Sequence, residues 1–238
     1  AAIGAGKVND WFVWNDAGMI RLSHGPDWTS DTARSAGSAL AMVSGILVNA
    51  VAIANGPAAS RGTYVGTTRS NASAQLDWIL GGIAAGGAAA WLGVWNMYNR
   101  VAVATMVGDS TDTWTPAAGP APLNASTGNR VSFVAGLAED AASARIIQPA
   151  SMSKAGGGAA AAVGFGLNAT GAFTGCAGYL SSGADAAVIS TVPGEISATV
   201  AGFNYFQAVE KGGVGTAGFY GDGGVGYIQQ GIQFNFRM

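Results

Sequence analysis

No segment of this chain repeats its apolar residues at i, i+3, i+4 and i+7 for long. Short runs with a period of two recur instead from one end to the other, each closed by Gly, Asn, Pro or Ser. A helix buries one stripe and needs the first pattern. A half-buried strand needs the second, because its side chains alternate between faces. The expected fold class is therefore all-β. The predicted strands are 10–15, 19–23, 41–53, 63–68, 75–80, 92–96, 100–107, 130–134, 143–148, 161–167, 187–192, 195–209, 217–220 and 227–237.

Two of these runs alternate clearly. In AVAIAN the larger residues Val51 and Ile53 share one face. In GYIQQGIQFNFRM, Ile228, Gln230, Ile232, Phe234 and Phe236 face one way, and Gln229, Gln233, Asn235 and Arg237 the other. That is a strand with one buried face. Turn residues lie where hairpins need them. Asn15-Asp16-Ala17-Gly18 joins the first two strands, Asn55-Gly56-Pro57 ends the third, and Gly221-Asp222-Gly223-Gly224 links the last two. TPAAGPAPLNASTGN, residues 115–129, reads as a long loop, and 155–162 as a loop or a flat, tightly packed strand. All seven tryptophans precede that long loop. The 238 residues form either one elaborated sandwich over 1–238 or two subdomains divided near 115–129.

Charged residues are only 10% of the chain, against about 25% in an average soluble domain. So little charge covers a monomer surface poorly, and apolar surface is expected to be buried against other copies or subunits. The 11 Lys and Arg are scattered and the net charge is −2, which argues against a nucleic-acid partner. The uncharged run 78–99 has the length of a membrane span. It is too rich in Gly and Ala, and too interrupted by Trp and Asn, to be read as one. Cys176 is the one cysteine, so an intrachain disulfide is excluded, and it is expected to be a small buried hydrophobe. The chain starts at Ala1 without a basic, apolar leader. Either an initiator was removed or a longer polypeptide precedes it.

Candidate chemistry is sparse. Asp109-Ser110-Thr111-Asp112 places oxygens as a calcium loop would, but lacks the glycine and further carboxylates of an EF-hand. It reads better as a turn with side-chain caps. Glu139-Asp140 and Asp27 with Asp31 could be glycosidase carboxylates, which must face each other across a sugar bond. Surface or turn roles are favoured for them. His24 is the sole histidine and no GxSxG elbow accompanies it. No phosphate-binding loop is present. No residue is assigned to catalysis, to a cofactor or to a metal. WLGVWNMYNRVAV stands out instead, with Trp91, Trp95, Tyr98 and Arg100 in a short span. A strand, a turn around 96–99 and a second strand fit it. These four residues are core or subunit-interface candidates, and exposed rings stacking on sugars are the alternative.

At this cluster the chain resembles a family of structural proteins of tailed bacteriophages and prophages. The resemblance runs through NDWFVWNDAGMIRLSHGPDW (Asn9–Trp28), LVNAVAIANGPAASRGTYVGTTRSNASAQLDW (Leu47–Trp78) and LGVWNMYNRVAV (Leu92–Val103). It continues in NRVSFVAGLAED (Asn129–Asp140) and in the later GFNYFQAVEKGG and GFYGDGG. It implies a jelly-roll-type antiparallel β-sandwich that is homotrimeric, located in the virion, and the C-terminal part of a longer chain. The implied function is non-enzymatic: a fibre, spike or head appendage in contact with other virion proteins and with a host-surface glycan. A capsid-cementing decoration protein is the second reading and a polysaccharide depolymerase the third. The resemblance carries over no catalytic residue.

Overall fold

The computed structural model describes residues 2–153, 159–182, 188–213 and 215–238. The chain forms a first sheet from β1 (Val8–Asp16), β2 (Met19–Asp27), β3 (Leu40–Val43), β4 (Ile46–Asn49) and β5 (Thr63–Arg69), in the order β2-β1-β5-β4-β3. Four short strands follow: β6 (Trp78–Ile79), β7 (Ile83–Ala84), β8 (Ala90–Leu92) and β9 (Val94–Asn96). Next come β10 (Ala102–Asp109), β11 (Ala121–Pro122), β12 (Arg130–Ala135), β13 (Ala142–Ser153) and β14 (Ala159–Leu167). The last are β15 (Gly178–Ser182), β16 (Val188–Ala198), β17 (Gly202–Gly212), β18 (Thr216–Phe219) and β19 (Gly231–Arg237). The second sheet runs β16-β13-β19-β10-β7 and the third β15-β14-β17-β12-β8-β6. β9 joins β5, β18 joins β13, and β11 joins β17. Among the described residues only two single turns, Ala36–Ser38 and Leu123–Ala125, are helical. The all-β expectation holds, with antiparallel and mixed sheets packed as a sandwich.

Alternation builds the core. The second and third sheets face each other across Phe133, Phe165, Phe206, Phe234 and Phe236, all buried. The Phe133 ring lies 5.2 Å from both Phe206 and Phe234. Each fully buried ring contributes roughly 1.5–3 kcal/mol. In β19, Ile232, Phe234 and Phe236 point inward and Gln233, Asn235 and Arg237 outward, as the sequence pattern predicts. The first sheet joins the same core through Phe12, Tyr64 and Trp95.

Several boundaries differ from expectation. The run 41–53 is a hairpin, β3–β4, that turns at Ser44-Gly45 with φ of 50° and 83°. Its last part is a loop in which Val51 is exposed and Ile53 buried, so AVAIAN is not a strand. The run 92–96 divides at Gly93 between two sheets. A Cβ there would lie 2.8 Å from Asp77 O and 2.9 Å from Arg69 O, so the crossover requires glycine. Only Trp78–Ile79 of 75–80 is strand. β16 passes straight through Pro193-Gly194 and turns near 199–201 instead. β18 and β19 do not form a hairpin: both pair with β13, end to end, and residues 220–230 loop out between them. Residues 155–158 and 187 lie outside the described residues, whereas 159–162 belong to β14.

The β1–β2 hairpin turns at Ala17-Gly18 with φ of 48° and 94°, as in a type I′ turn. Left-handed backbone costs a non-glycine residue about 1 kcal/mol, and Asn tolerates it best. Ala17→Asn is expected to stabilise the protein by about 0.5–1 kcal/mol, read as a higher midpoint in urea at unchanged slope.

Candidate functional site

A cavity of about 640 Å³ opens on the outer face of the second sheet. Strand register assembles its lining. Asn235, Ser143 and Ser197 pair across β19, β13 and β16, and Gln233, Arg145 and Glu195 pair in the same way. Cys176 bridges to Glu195 beyond β16, where the Glu195 N–H donates to Cys176 O at 3.0 Å. The lining is thus a lattice of polar side chains on the sheet, with Thr174 and Gly175 beside it.

Two smaller hollows continue it. One, about 250 Å³, shares Ser143 and Asn235 with the first and is bounded by Asp140 and Arg237. The other, about 260 Å³, shares Arg145, Cys176 and Glu195 and extends along Pro193 and Gly194. Together they form a row across β10, β19, β13 and β16. The Arg145–Glu195 pair at 3.4 Å is well exposed on both sides, so it is weak and easily opened by a ligand. Asp140 accepts from Arg100 Nη1 at 2.9 Å. Both carboxylates of the groove therefore have an arginine partner. Cys176 is exposed, which corrects the expectation that it is a buried hydrophobe. The short strand-edge bridge holds it at the rim rather than in the core.

The aromatic cluster is not brought together as one site. Trp95 is buried beneath Tyr64, with ring centroids 6.3 Å apart, and Arg100 lies over it at 4.6 Å. Arg100 Nη2 donates to Glu139 Oε2 at 2.6 Å and to the Met97 sulfur at 3.4 Å. Partial burial disfavours its charge, but Glu139 and Asp140 more than offset that and raise its pKa. Trp91 belongs to another sheet and packs on Phe203 at 4.7 Å, and Tyr98 is exposed. The turn between the two strands is as expected: Asn96 Oδ1 accepts from the N–H groups of Tyr98 and Asn99, both at 2.9 Å.

The remaining carboxylate candidates are structural. Asp31 accepts from Arg69 at 2.9 Å, and Asp27 from Asn9 Nδ2 at 2.9 Å. Asp109 is fully buried. Its Oδ1 accepts from the N–H groups of Gly86 and Thr111, both at 3.0 Å. Its Oδ2 accepts from Asn124 Nδ2 at 2.9 Å and Asn129 Nδ2 at 2.8 Å. Four N–H donors fill both oxygens, so this is a turn cap rather than a calcium loop. Burial alone would raise its pKa, but the bonds from Asn129, Thr111 and Asn124 outweigh burial and lower it. His24 Nδ1 lies 2.8 Å from Gly25 O, and its ring meets Trp11 edge-on. Among the described residues no three His, Cys, Asp or Glu side chains are placed to hold a metal, and no helix is long and apolar enough to cross a membrane.

Two buried acids escaped the sequence reading. Asp10 accepts from Arg34 Nε at 2.8 Å and Nη2 at 3.2 Å, and from Thr67 Oγ1 at 2.6 Å. The Tyr64 hydroxyl donates to Thr67 in turn, at 2.6 Å. Burial raises the Asp10 pKa in spite of Arg34. It drives Tyr64 far upward too, helped by the Asp10 charge. Glu210 accepts from Trp114 Nε1 at 2.7 Å and from the N–H groups of Ala117 and Asn124 at 3.0 and 3.1 Å. Its pKa is raised by burial. The one hint was an acid set within an apolar run, as in VNDWFVW and QAVEKG.

No model of a known protein family matches the chain, and no curated protein matches its sequence.

Proposed function

We propose that this chain is a non-enzymatic binding module displayed on a phage particle as a fibre, spike or head appendage, and that its groove takes an extended, uncharged host-surface glycan. The row of three hollows carries the reading. A polysaccharide is a linear repeat of hydroxyl-rich rings, and a row of hollows sharing side chains offers repeated contacts along one line. Asn235, Gln233, Ser143 and Ser197 supply the donors and acceptors such rings need, while Arg145 and Glu195 cancel in charge. Aromatic rings, whose stacking on sugars was the alternative reading of the sequence, are not among the exposed groups of this groove, so recognition here rests on hydrogen bonds. Among the described residues of the groove, Glu195 and Asp140 each have an arginine partner, which favours binding over cleavage. The virion setting comes from the family resemblance, together with the low charge of the chain and its many short strands. Three-fold assembly and a jelly-roll topology belong to that same resemblance.

Gln233 and Asn235 point outward from β19, so replacing them should leave the core intact. Q233A/N235A is expected to weaken binding to purified host polysaccharide by about tenfold or more, with an unchanged melting temperature. Equal binding by the variant would exclude the groove. Release of oligosaccharides by the wild type would favour the depolymerase instead.

A further inference from the structure

The groove has a direction, and strand register sets it. The hollow at one end touches Ala102 and Ala104 on β10, Asn235 and Arg237 on β19, and Ser143 on β13. The middle one lies over Gln233 and Asn235 on β19, Ser143 and Arg145 on β13, and Glu195 and Ser197 on β16. The hollow at the other end touches Arg145 on β13, Pro193 and Glu195 on β16, and Cys176 and Gly178 beyond it. The row therefore crosses the strands obliquely, from the level of Arg237 to the level of Pro193.

Along a strand the polar side chains give out. The outward positions pass from Ser143 and Arg145 to Ile147 on β13, from Ser197 and Glu195 to Pro193 on β16, and from Asn235 and Gln233 to Gly231 on β19. A ligand following one strand leaves them after two outward positions, about 6.6–6.8 Å apart. A ligand crossing the strands meets them at every step. Neighbouring strands lie about 4.7–4.9 Å apart, and an oblique crossing lengthens each step to roughly 5–6 Å. That step is close to the advance of a pyranose chain per ring.

We infer that the glycan lies across the sheet, one ring to each strand from β10 to β16, and that Arg145 and Glu195 select it by gripping a vicinal diol. This rests on the glycan reading of the groove. Both residues line the middle hollow and the one beyond β16, so a sugar chain passing between the two crosses them. Register sets them opposite each other. Their charged atoms approach to 3.4 Å, with the side chains 57% and 63% exposed. A hydroxyl both donates and accepts. Adjacent sugar hydroxyls can accept from the planar guanidinium fork and donate to the carboxylate beside it. Hydrogen bonds to charged groups are roughly twice as strong as neutral ones, so this pair outweighs the amides and hydroxyls around it.

Fragments of increasing length, cut from the purified host polysaccharide by partial acid hydrolysis, test the direction by calorimetry with the full chain. Affinity is expected to climb to about four rings, one for each strand, and then level off. A glycan lying along a strand levels off at about two. Glu195→Gln should weaken two-ring and four-ring fragments alike, by about tenfold. Arg237→Ala, in the hollow beside β10, should weaken the four-ring fragment alone. Both side chains are exposed, so the melting temperature should not move. Periodate splits vicinal diols into paired aldehydes, which borohydride then reduces to alcohols. Polysaccharide treated in this way is expected to bind at least about tenfold more weakly. Cys176, exposed at the end of the row, reports on occupancy: the four-ring fragment should slow its alkylation by iodoacetamide. A wild type that binds no polysaccharide overturns the glycan reading and this inference with it. Binding that levels off at two rings, survives periodate, or is unchanged in Glu195→Gln overturns this inference alone.

Discussion

Asp109→Asn is expected to destabilise the protein by about 3 kcal/mol and lower its melting temperature by roughly 10 °C. The substitution is nearly isosteric, so the loss is electrostatic. All four partners of the carboxylate are N–H donors: two backbone groups and the amides of Asn124 and Asn129. An amide at 109 must turn its own NH₂ toward two of them, and a buried donor facing a donor is left unsatisfied. The residue ties the end of β10 to the 84–87 turn and to the Leu123–Ala125 turn, so several loops loosen at once. The pH dependence gives a second check. The folded pKa of Asp109 is lowered. Its stabilisation is therefore full above the unfolded carboxylate value and is lost as pH falls through the folded one. The gap between wild type and variant should narrow in acid. A gap that stays constant from neutral pH to about pH 3, below the ordinary Asp value, would show that the charge does not matter there.

Arg34→Met should cost more, about 3–5 kcal/mol, because it leaves the Asp10 carboxylate buried without its cation. It also frees Gly136 O, which accepts from Arg34 Nη2 at 2.7 Å, and removes the guanidinium that stacks on Trp28 at 4.3 Å. Here the sign with pH reverses. The folded pKa of Asp10 is already raised, and loss of Arg34 raises it further. A raised acid adds stability below the unfolded pKa and loses it as pH rises through the folded pKa. The variant should thus be closer to wild type near pH 4 than near pH 7. Adding Asp10→Asn should recover part of the loss at neutral pH. A variant within about 1 kcal/mol of wild type at pH 7 would show that Arg34 is dispensable.

The sequence made some of this fold legible and hid the rest for identifiable reasons. The β1–β2 turn was readable because Ala17-Gly18 sits between two alternating runs, and β19 because its alternation is uninterrupted. The β3–β4 turn was not: Ser44-Gly45 lies inside a continuous apolar stretch that reads as one strand. Pro193-Gly194 misled in the opposite direction. The Glu195 N–H points toward Cys176, away from β13. By alternation position 193 also faces outward, so proline there removes no ladder donor. WLGVW is not one cluster in the fold, because a single glycine sends Trp91 and Trp95 to different sheets. The groove could not be read at all, since its side chains come from segments near 143, 176, 195 and 233 that only register brings together. The buried acids were hidden because an apolar run is the one local mark of a carboxylate whose partners lie far along the chain, as Asp10 and Arg34 or Glu210 and Trp114 do.

The position of β19 between β13 and β10 carries a kinetic consequence. More than half the chain separates Val103 from its partner Phe236. Loop-closure entropy must be met before that pairing returns anything, which makes the ladder a late and slow event in folding. Until β19 inserts, both edges of β10 are unpaired from Ala102 to Val107, a stretch that carries no charge. Refolding is then a race between a distant intramolecular strand and any neighbouring molecule that offers a similar one. Dilution favours the first, and crowding of unfolded chains favours the second.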